Sequence, residues 1–193
     1  MDVNDVIIKA QLMDERDLDR TLTRMARQIM EHYEPEVGGK HPLALIGMQT
    51  RGVFLAQRLQ TKIMEAEDTV LPLGALDVTM YRDDIHRRNR LHTLGVTDVP
   101  FDVSDRQVVL IDDVLYTGRT ARAAMDALID LGRPARIRFL VMIDREHHEL
   151  PIRADMVGRT VPTIVGEEIQ VRLHEIDDRE GVWLVGRQEI SGC

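Results

Sequence analysis

Val108-Val-Leu-Ile-Asp-Asp-Val-Leu-Tyr-Thr-Gly-Arg-Thr120 is the stretch on which the fold turns. The run from Gln107 to Ile111 has the aliphatic, β-branched character of a strand buried on both faces. A turn is expected from Asp112 to Gly118, and a helix from Arg119 to Leu131, ended by Gly132 and Pro134. In open α/β sheets ligands bind beyond the carboxyl ends of the strands, and the free N–H groups of a helix N-terminus suit a phosphate. Thr117 and Thr120 add hydroxyl donors, and Gly118 lets backbone approach closely. Asp112 and Asp113 would repel a phosphate; they suit ribose hydroxyls, or Mg²⁺ held largely through water.

The same strand-then-helix pattern recurs upstream. Leu43 to Gly47 reads as a short buried strand, Gly47 to Gly52 as a loop, and Val53 to Glu65 as a helix with Phe54, Leu55, Leu59 and Ile63 inward. Before it, Glu15 to Tyr33 is a helix whose apolar stripe is Leu18, Leu22, Met25 and Ile29. Its opposite face carries Arg16, Arg20, Arg24 and Arg27. Val70 to Tyr81 reads as a strand interrupted near Pro72, and residues 82–100 follow neither period. Ile137 to Ile143 is the next strand, and Val161 to Val165, Ile169 to Leu173 and Val182 to Gly186 are expected after it. Strands alternating with helices imply an α/β fold with a mainly parallel central sheet flanked by helices. One domain, residues 1–193, is expected.

Composition narrows the function. The 25 Lys+Arg and 33 Asp+Glu give a net charge of −8, which argues against wrapping nucleic acid over the whole surface while allowing local basic patches. Cys193 is the only cysteine, so an intracellular, cytoplasmic protein without a thiolate metal cluster is expected. The N-terminus lacks the pattern of a signal peptide, no apolar run is long enough to span a bilayer, and no membrane role is expected. Neither Gly-x-Gly-x-x-Gly nor Gly-x-x-x-x-Gly-Lys-Ser/Thr occurs, which removes the commonest nucleotide loops. The neighbours His147 and His148 point apart in either regular structure and read as surface residues rather than a metal pair.

In its strand-loop-helix context, the stretch 108–120 resembles the 5-phosphoribosyl-1-pyrophosphate (PRPP) motif of type I phosphoribosyltransferases. Further segments narrow the likeness: Thr50-Arg51-Gly52, Tyr81-Arg82-Asp83-Asp84, Ala124-Met-Asp-Ala-Leu128, Gly132-Arg-Pro134 and Glu149-Leu-Pro-Ile-Arg-Ala-Asp155. Together they are similar to the bifunctional pyrimidine operon regulators that are also uracil phosphoribosyltransferases, from about Arg20 to Leu173. The resemblance implies the type I fold with a small hood, transfer of the PRPP ribosyl group to uracil giving UMP and pyrophosphate, and a requirement for Mg²⁺. It also implies UMP or UTP as effectors, leader RNA of the pyrimidine operon as a partner, and a homodimer or homotetramer.

The same resemblance assigns site residues. Thr50, Arg51 and Gly52 match the pyrophosphate loop, and Asp112, Asp113, Val114, Leu115, Tyr116, Thr117, Gly118, Arg119 and Thr120 the rest of the PRPP site. Asp112, Asp113 and Arg51 are the catalytic candidates, with Asp113 as ribose ligand or general base left open, and Asp112 and Asp113 would meet the metal through water. Asp144, Arg145, Met156, Val157 and Gly158 are the base-site candidates, the last three through backbone groups. Tyr81, Arg82 and Arg90 belong to the mobile loop of about 81–100 that would close over the site. Thr23, Arg24, Arg27, His148, Arg153 and Arg159 match the RNA surface.

Several features depart from that pattern or stay open. The family's Asp-Arg-Gly-His-Arg reads Asp144-Arg-Glu-His-His148 here, so Glu146 and His148 lower the positive potential. Arg16 and Arg20 interleave with Asp14, Glu15, Asp17 and Asp19, which allows a salt-bridged, solvated helix instead of an RNA face. Arg153 and Asp155 equally suit a structural ion pair. A purine phosphoribosyltransferase, or a PRPP- or UMP-sensing regulator with weak turnover, remains as an alternative. The segment from Ile164 to Cys193, with seven Asp/Glu against three Arg, has no assigned role.

Overall fold

The computed structural model describes residues 6–33, 41–81 and 96–187. In chain order the elements are β1 (Val6–Met13), α1 (Glu15–His32), β2 (Leu43–Met48), α2 (Arg51–Glu67), β3 (Leu73–Leu76), a 3₁₀ turn (Thr79–Tyr81), β4 (Gln107–Leu115), α3 (Arg119–Leu131), β5 (Arg136–Asp144), β6 (Met156–Thr160), β7 (Glu167–Arg172) and β8 (Gly181–Arg187). β3-β2-β4-β5-β6 form a five-stranded parallel sheet, and β1-β8-β7 a three-stranded antiparallel one.

Side-chain alternation along the strands divides the parallel sheet into two faces. Val109 and Ile111 of β4, with Leu140 and Met142 of β5, pack beneath α1 and α2. Val108, Leu110, Phe139 and Val141 pack beneath the alanine-rich face of α3, Ala121, Ala124, Ala127 and Leu128. Leu18, Leu22, Met25 and Ile29 of α1 are all fully buried, each contributing about 1.5–3 kcal/mol. The small sheet adds Val171, Leu173 and Val182 to the α1–α2 side of the core.

The chain leaves β2 toward β3 on one side and reaches β4 on the other, so the strand order reverses between β2 and β4. Their carboxyl ends open the crevice where such sheets bind ligands.

Four elements differ from the sequence expectation. β4 runs to Leu115, because β5 extends to Asp144 and pairs with it (Asp112↔Val141, Leu115↔Asp144). Asp112 and Asp113 are therefore strand residues, and the turn is confined to 116–118. The strand expected over Val70 to Tyr81 shrinks to β3, since β2 offers partners only from Leu45 to Met48. The Asp77 carboxylate then accepts from the Thr79 N–H and hydroxyl and starts the 3₁₀ turn. Val161 to Val165 is no strand: Pro162 lacks a ladder donor, and Val165 is 99% exposed; the strand is β6 instead. β1 lies where no element was expected.

Most of the expected hood loop, with Arg82 and Arg90, lies outside the described residues. Among the described residues no helix is long and apolar enough to cross a membrane.

Candidate active site

Two adjacent carboxylates close the end of β4. Asp112 is 9% exposed, and its Oδ1 accepts from the Asp113 N–H at 2.9 Å. Asp113 Oδ1 accepts from the Val114 N–H at the same distance. Each carboxylate is thus oriented through one oxygen by the next backbone amide. Burial pushes the Asp113 carboxyl up; the contact with Asp112 and the charge of Arg51 only partly offset it.

Arg51 reaches Asp113 because α2 starts two residues earlier than its apolar pattern suggests, at Arg51 rather than Val53. A Cβ on Gly52 would lie 2.4 Å from the Ile111 carbonyl oxygen. Only glycine lets the first turn of α2 rest on β4. Arg51 Nη2 donates to both oxygens of Asp177, at 2.9 and 3.1 Å, while its buried Nε has no acceptor among the described residues.

Arg51 and Asp113 line one wall of a cavity of about 340 Å³, and Ile169, Gln170, Val171, Arg172 and Asp177 line the other. That volume suits a small molecule. The second wall belongs to β7 and the turn after it, residues that the sequence reading missed. The acidic bias of 164–193 was their only signal, and their place depends on how the small sheet docks.

Beyond β4, Gly118 takes φ +86°, a left-handed conformation, and leads into α3 without a side-chain cap. The Thr117 carbonyl accepts from the N–H groups of Glu149 and Leu150, and Arg119 pairs with Glu149 at 2.8 Å. This fixes the 116–118 turn beneath the α3 N-terminus, beside the carboxylates. Thr50, Gly52, Val114, Thr117, Gly118 and Thr120 all cluster around the β2 and β4 ends. Leu115 departs from its expected ligand role: its side chain is 2% exposed core, and its carbonyl accepts from the Arg145 N–H. Tyr116 instead stacks under Arg145, whose guanidinium sits 3.9 Å from the ring centre, with His147 edge-on at 5.6 Å.

The base-site candidates already have partners within the protein. Met156 is fully buried, and the Val157 and Gly158 carbonyls already accept from Arg24 Nη2, at 3.3 and 2.6 Å. These carbonyls are engaged in holding β6 to α1. Arg145 is engaged too, donating to Thr163 Oγ1 at 3.0 Å and the Glu167 carbonyl at 2.6 Å. Asp144 accepts from the Glu146 N–H and pairs with His148 at 2.9 Å. His148 is thereby drawn to the strand end. Tyr81 donates to Asp130 on α3 at 2.8 Å, so the first residue of the expected closing loop is anchored.

On α1, Arg16, Arg20, Arg24 and Arg27 are exposed. The helix acids have other partners: Asp14 caps the Asp17 N–H, and Asp19 pairs with Lys62 at 2.6 Å. The salt-bridged alternative does not form, for Arg16, Arg20 and Arg27 make no ion pair among the described residues. Thr23 accepts from Lys62, Arg159 donates to the Leu12 carbonyl, and Arg153 is exposed without a bridge to Asp155, whose carboxylate accepts from the Phe139 N–H.

The family described as "Phosphoribosyl transferase domain" matches residues 10–176. A protein named bifunctional protein PyrR from Roseiflexus sp. (strain RS-1) is 50% identical over 183 residues, 94% of this chain and 98% of that protein. The protein of the same name from Listeria welshimeri is 47% identical over 181 residues, 92% and 97% of the two chains. The chain belongs to the phosphoribosyl transferase family, among its bifunctional PyrR proteins.

Solved phosphoribosyltransferases share the architecture at much lower identity. The hypoxanthine phosphoribosyltransferase of Trypanosoma cruzi in complex with the product IMP superposes with a TM-score of 0.69 at 18% identity, covering 95% of this chain and 96% of that one. The hypoxanthine phosphoribosyltransferase of Staphylococcus aureus gives 0.67 at 20% identity, covering 98% of both chains. This likeness speaks for the type I phosphoribosyltransferase fold alone.

Proposed function

We propose that this phosphoribosyltransferase takes uracil as its base, converting uracil and PRPP to UMP and pyrophosphate with Mg²⁺. The observation that carries the reading is the sheet's point of reversal, where Arg51 and Asp113 line one cavity and Asp112 and the 116–118 turn into α3 lie at the same end of β4. The 116–120 turn and helix N-terminus hold the 5-phosphate. Asp112 and Asp113 orient the ribose hydroxyls, and Arg51 neutralises charge developing on departing pyrophosphate. No covalent nucleophile is required.

The donor set fits Mg²⁺. Among the described residues no group of three or more His, Cys, Asp or Glu side chains forms a cage, so two neighbouring carboxylates would meet a cation that keeps much of its water and takes substrate oxygens. Bound there, Mg²⁺ supplies charge neutralisation for the pyrophosphate group.

Incubation with PRPP, Mg²⁺ and uracil, orotate, hypoxanthine or guanine tests the assignment. UMP as the main product supports it, and preference for a purine replaces it with the purine alternative.

Arg16, Arg20 and Arg27, exposed and without an ion pair among the described residues, favour a second activity, UMP- or UTP-responsive binding of pyrimidine leader RNA. Its affinity should fall steeply with salt, and salt-insensitive binding would remove α1 from the RNA surface.

A further inference from the structure

We propose that Asp177 is a positioning residue for phosphoribosyl transfer: it holds Arg51 by one nitrogen so that the rest of the guanidinium is free to receive the pyrophosphate group. The inference rests on the PRPP reading above and adds to it a residue outside every expected site segment.

Asp177 is built into its place from both sides. Its backbone N–H donates to the Leu173 carbonyl at 2.8 Å, and its Oδ2 accepts from the Leu173 N–H at 3.0 Å. These two bonds close a tight turn after β7 and fix the carboxylate without help from Arg51. The turn itself is fastened to α2. Arg58 donates to Glu175 through Nε and Nη2, both at 2.8 Å, and to Glu180 through Nη1 and Nη2, at 2.6 and 2.8 Å. Asp177 thus lies between two carboxylates clamped to the helix that begins with Arg51.

The contact is incomplete from the arginine's side. A guanidinium has five N–H donors, yet both oxygens of Asp177 engage only Nη2. Nε is buried and finds no acceptor among the described residues. Leaving a buried donor unpaired is costly. The rest of the guanidinium is open to an anionic oxygen, for the Arg51 side chain is still 34% exposed and lines the cavity it shares with Asp113 and Asp177. A diphosphate group has that chemistry, and a guanidinium already fixed at one end loses little freedom in binding it. Asp177 therefore acts through Arg51.

Titration calorimetry with inorganic pyrophosphate and Mg²⁺, beside steady-state kinetics with PRPP and uracil, tests the assignment. Asn keeps the oxygen that caps the Leu173 N–H, so Asp177→Asn leaves the turn intact and the melting temperature close to wild type. It should weaken pyrophosphate binding about tenfold and raise the KM for PRPP similarly, with the KM for uracil unchanged and Asp177→Glu recovering part of the loss. In an Arg51→Gln background the same change should cost nothing further, the signature of action through Arg51.

Equal or tighter pyrophosphate binding by Asp177→Asn overturns the proposal, as does an undiminished loss in the Arg51→Gln background. Wild-type protein that forms UMP while Asp177→Asn is unaltered removes this inference alone. Wild type that neither binds pyrophosphate nor makes nucleotide removes the PRPP reading as well.

Discussion

The molecule contains two clusters of carboxylates close together, and they are treated in opposite ways. At the end of β4, Asp112 and Asp113 are turned onto their own backbone amides, and burial pushes Asp113 up against its ionised form. In the turn between β7 and β8, Glu175 and Glu180 share Arg58, which holds both below the usual carboxylate range, while the Arg58 guanidinium is itself raised, chiefly by Glu180. The second cluster is neutralised by the fold. In the first, burial outweighs the help that Asp113 has from Asp112 and Arg51, the kind of perturbation that gathers at working sites. Charge alone does not mark a site; a carboxylate that burial disfavours, on the wall of a cavity, does.

Asp113→Asn attacks the contrast most directly. Activity with PRPP and uracil should fall about 100-fold or more, the scale of losing one oriented polar group at a reacting centre. Stability should not fall with it. The folded pKa of Asp113 is raised, so its ionisation disfavours the folded state as pH rises above the unfolded value; an amide removes that term and still accepts from the Val114 N–H. A melting temperature unchanged or higher, beside lost turnover, sharpens the comparison. A large drop in melting temperature would make Asp113 a structural charge like Glu180.

The sequence made the first cluster legible and hid the second. Asp112 and Asp113 sit in a local strand-turn-helix unit whose hydrophobic pattern, hydroxyls and glycine are all within a few residues of one another. β2, α2, β4, α3 and β5 were readable for the same reason: their buried faces are periodic. Glu175, Asp177 and Glu180 have meaning only beside Arg58 and Arg51, more than a hundred residues earlier in the chain. β1 was invisible because it exists through pairing with β8 at the far end of the chain. The hold of Arg24 on the Val157 and Gly158 carbonyls is hidden likewise, since nothing local announces it.

Arg58→Met tests the neutralised side. It leaves Glu180, only 6% exposed in its side chain, without its cation; breaking such a pair costs several kcal/mol when fully buried, and about 2 kcal/mol is expected here because Arg58 and Glu175 are partly solvated. The pH dependence follows in sign. Glu175 and Glu180 have depressed folded pKa values, so their contribution is present above the unfolded value of about 4.5 and is lost as pH falls through the folded values. Chemical denaturation between pH 3 and pH 7, on the order of the range these carboxylates titrate in, should show wild type losing more stability on acidification than Arg58→Met. Parallel pH profiles would make the clamp an ornament.

The smallest effect belongs to α1, where the same contrast recurs among cations. Arg24 is committed to the carbonyls of β6, whereas Arg16, Arg20 and Arg27 lie exposed without an ion pair among the described residues. Arg24→Ala removes two hydrogen bonds at an exposed position, worth about 0.5–1 kcal/mol in thermal denaturation. Arg20→Ala and Arg27→Ala should leave the melting temperature alone and instead lower the slope of log affinity against log salt for leader RNA by about one each. If Arg24→Ala changes that slope as much as they do while the protein melts unchanged, Arg24 releases β6 to take a phosphate. The division of α1 into a structural arginine and ligand-seeking ones then fails.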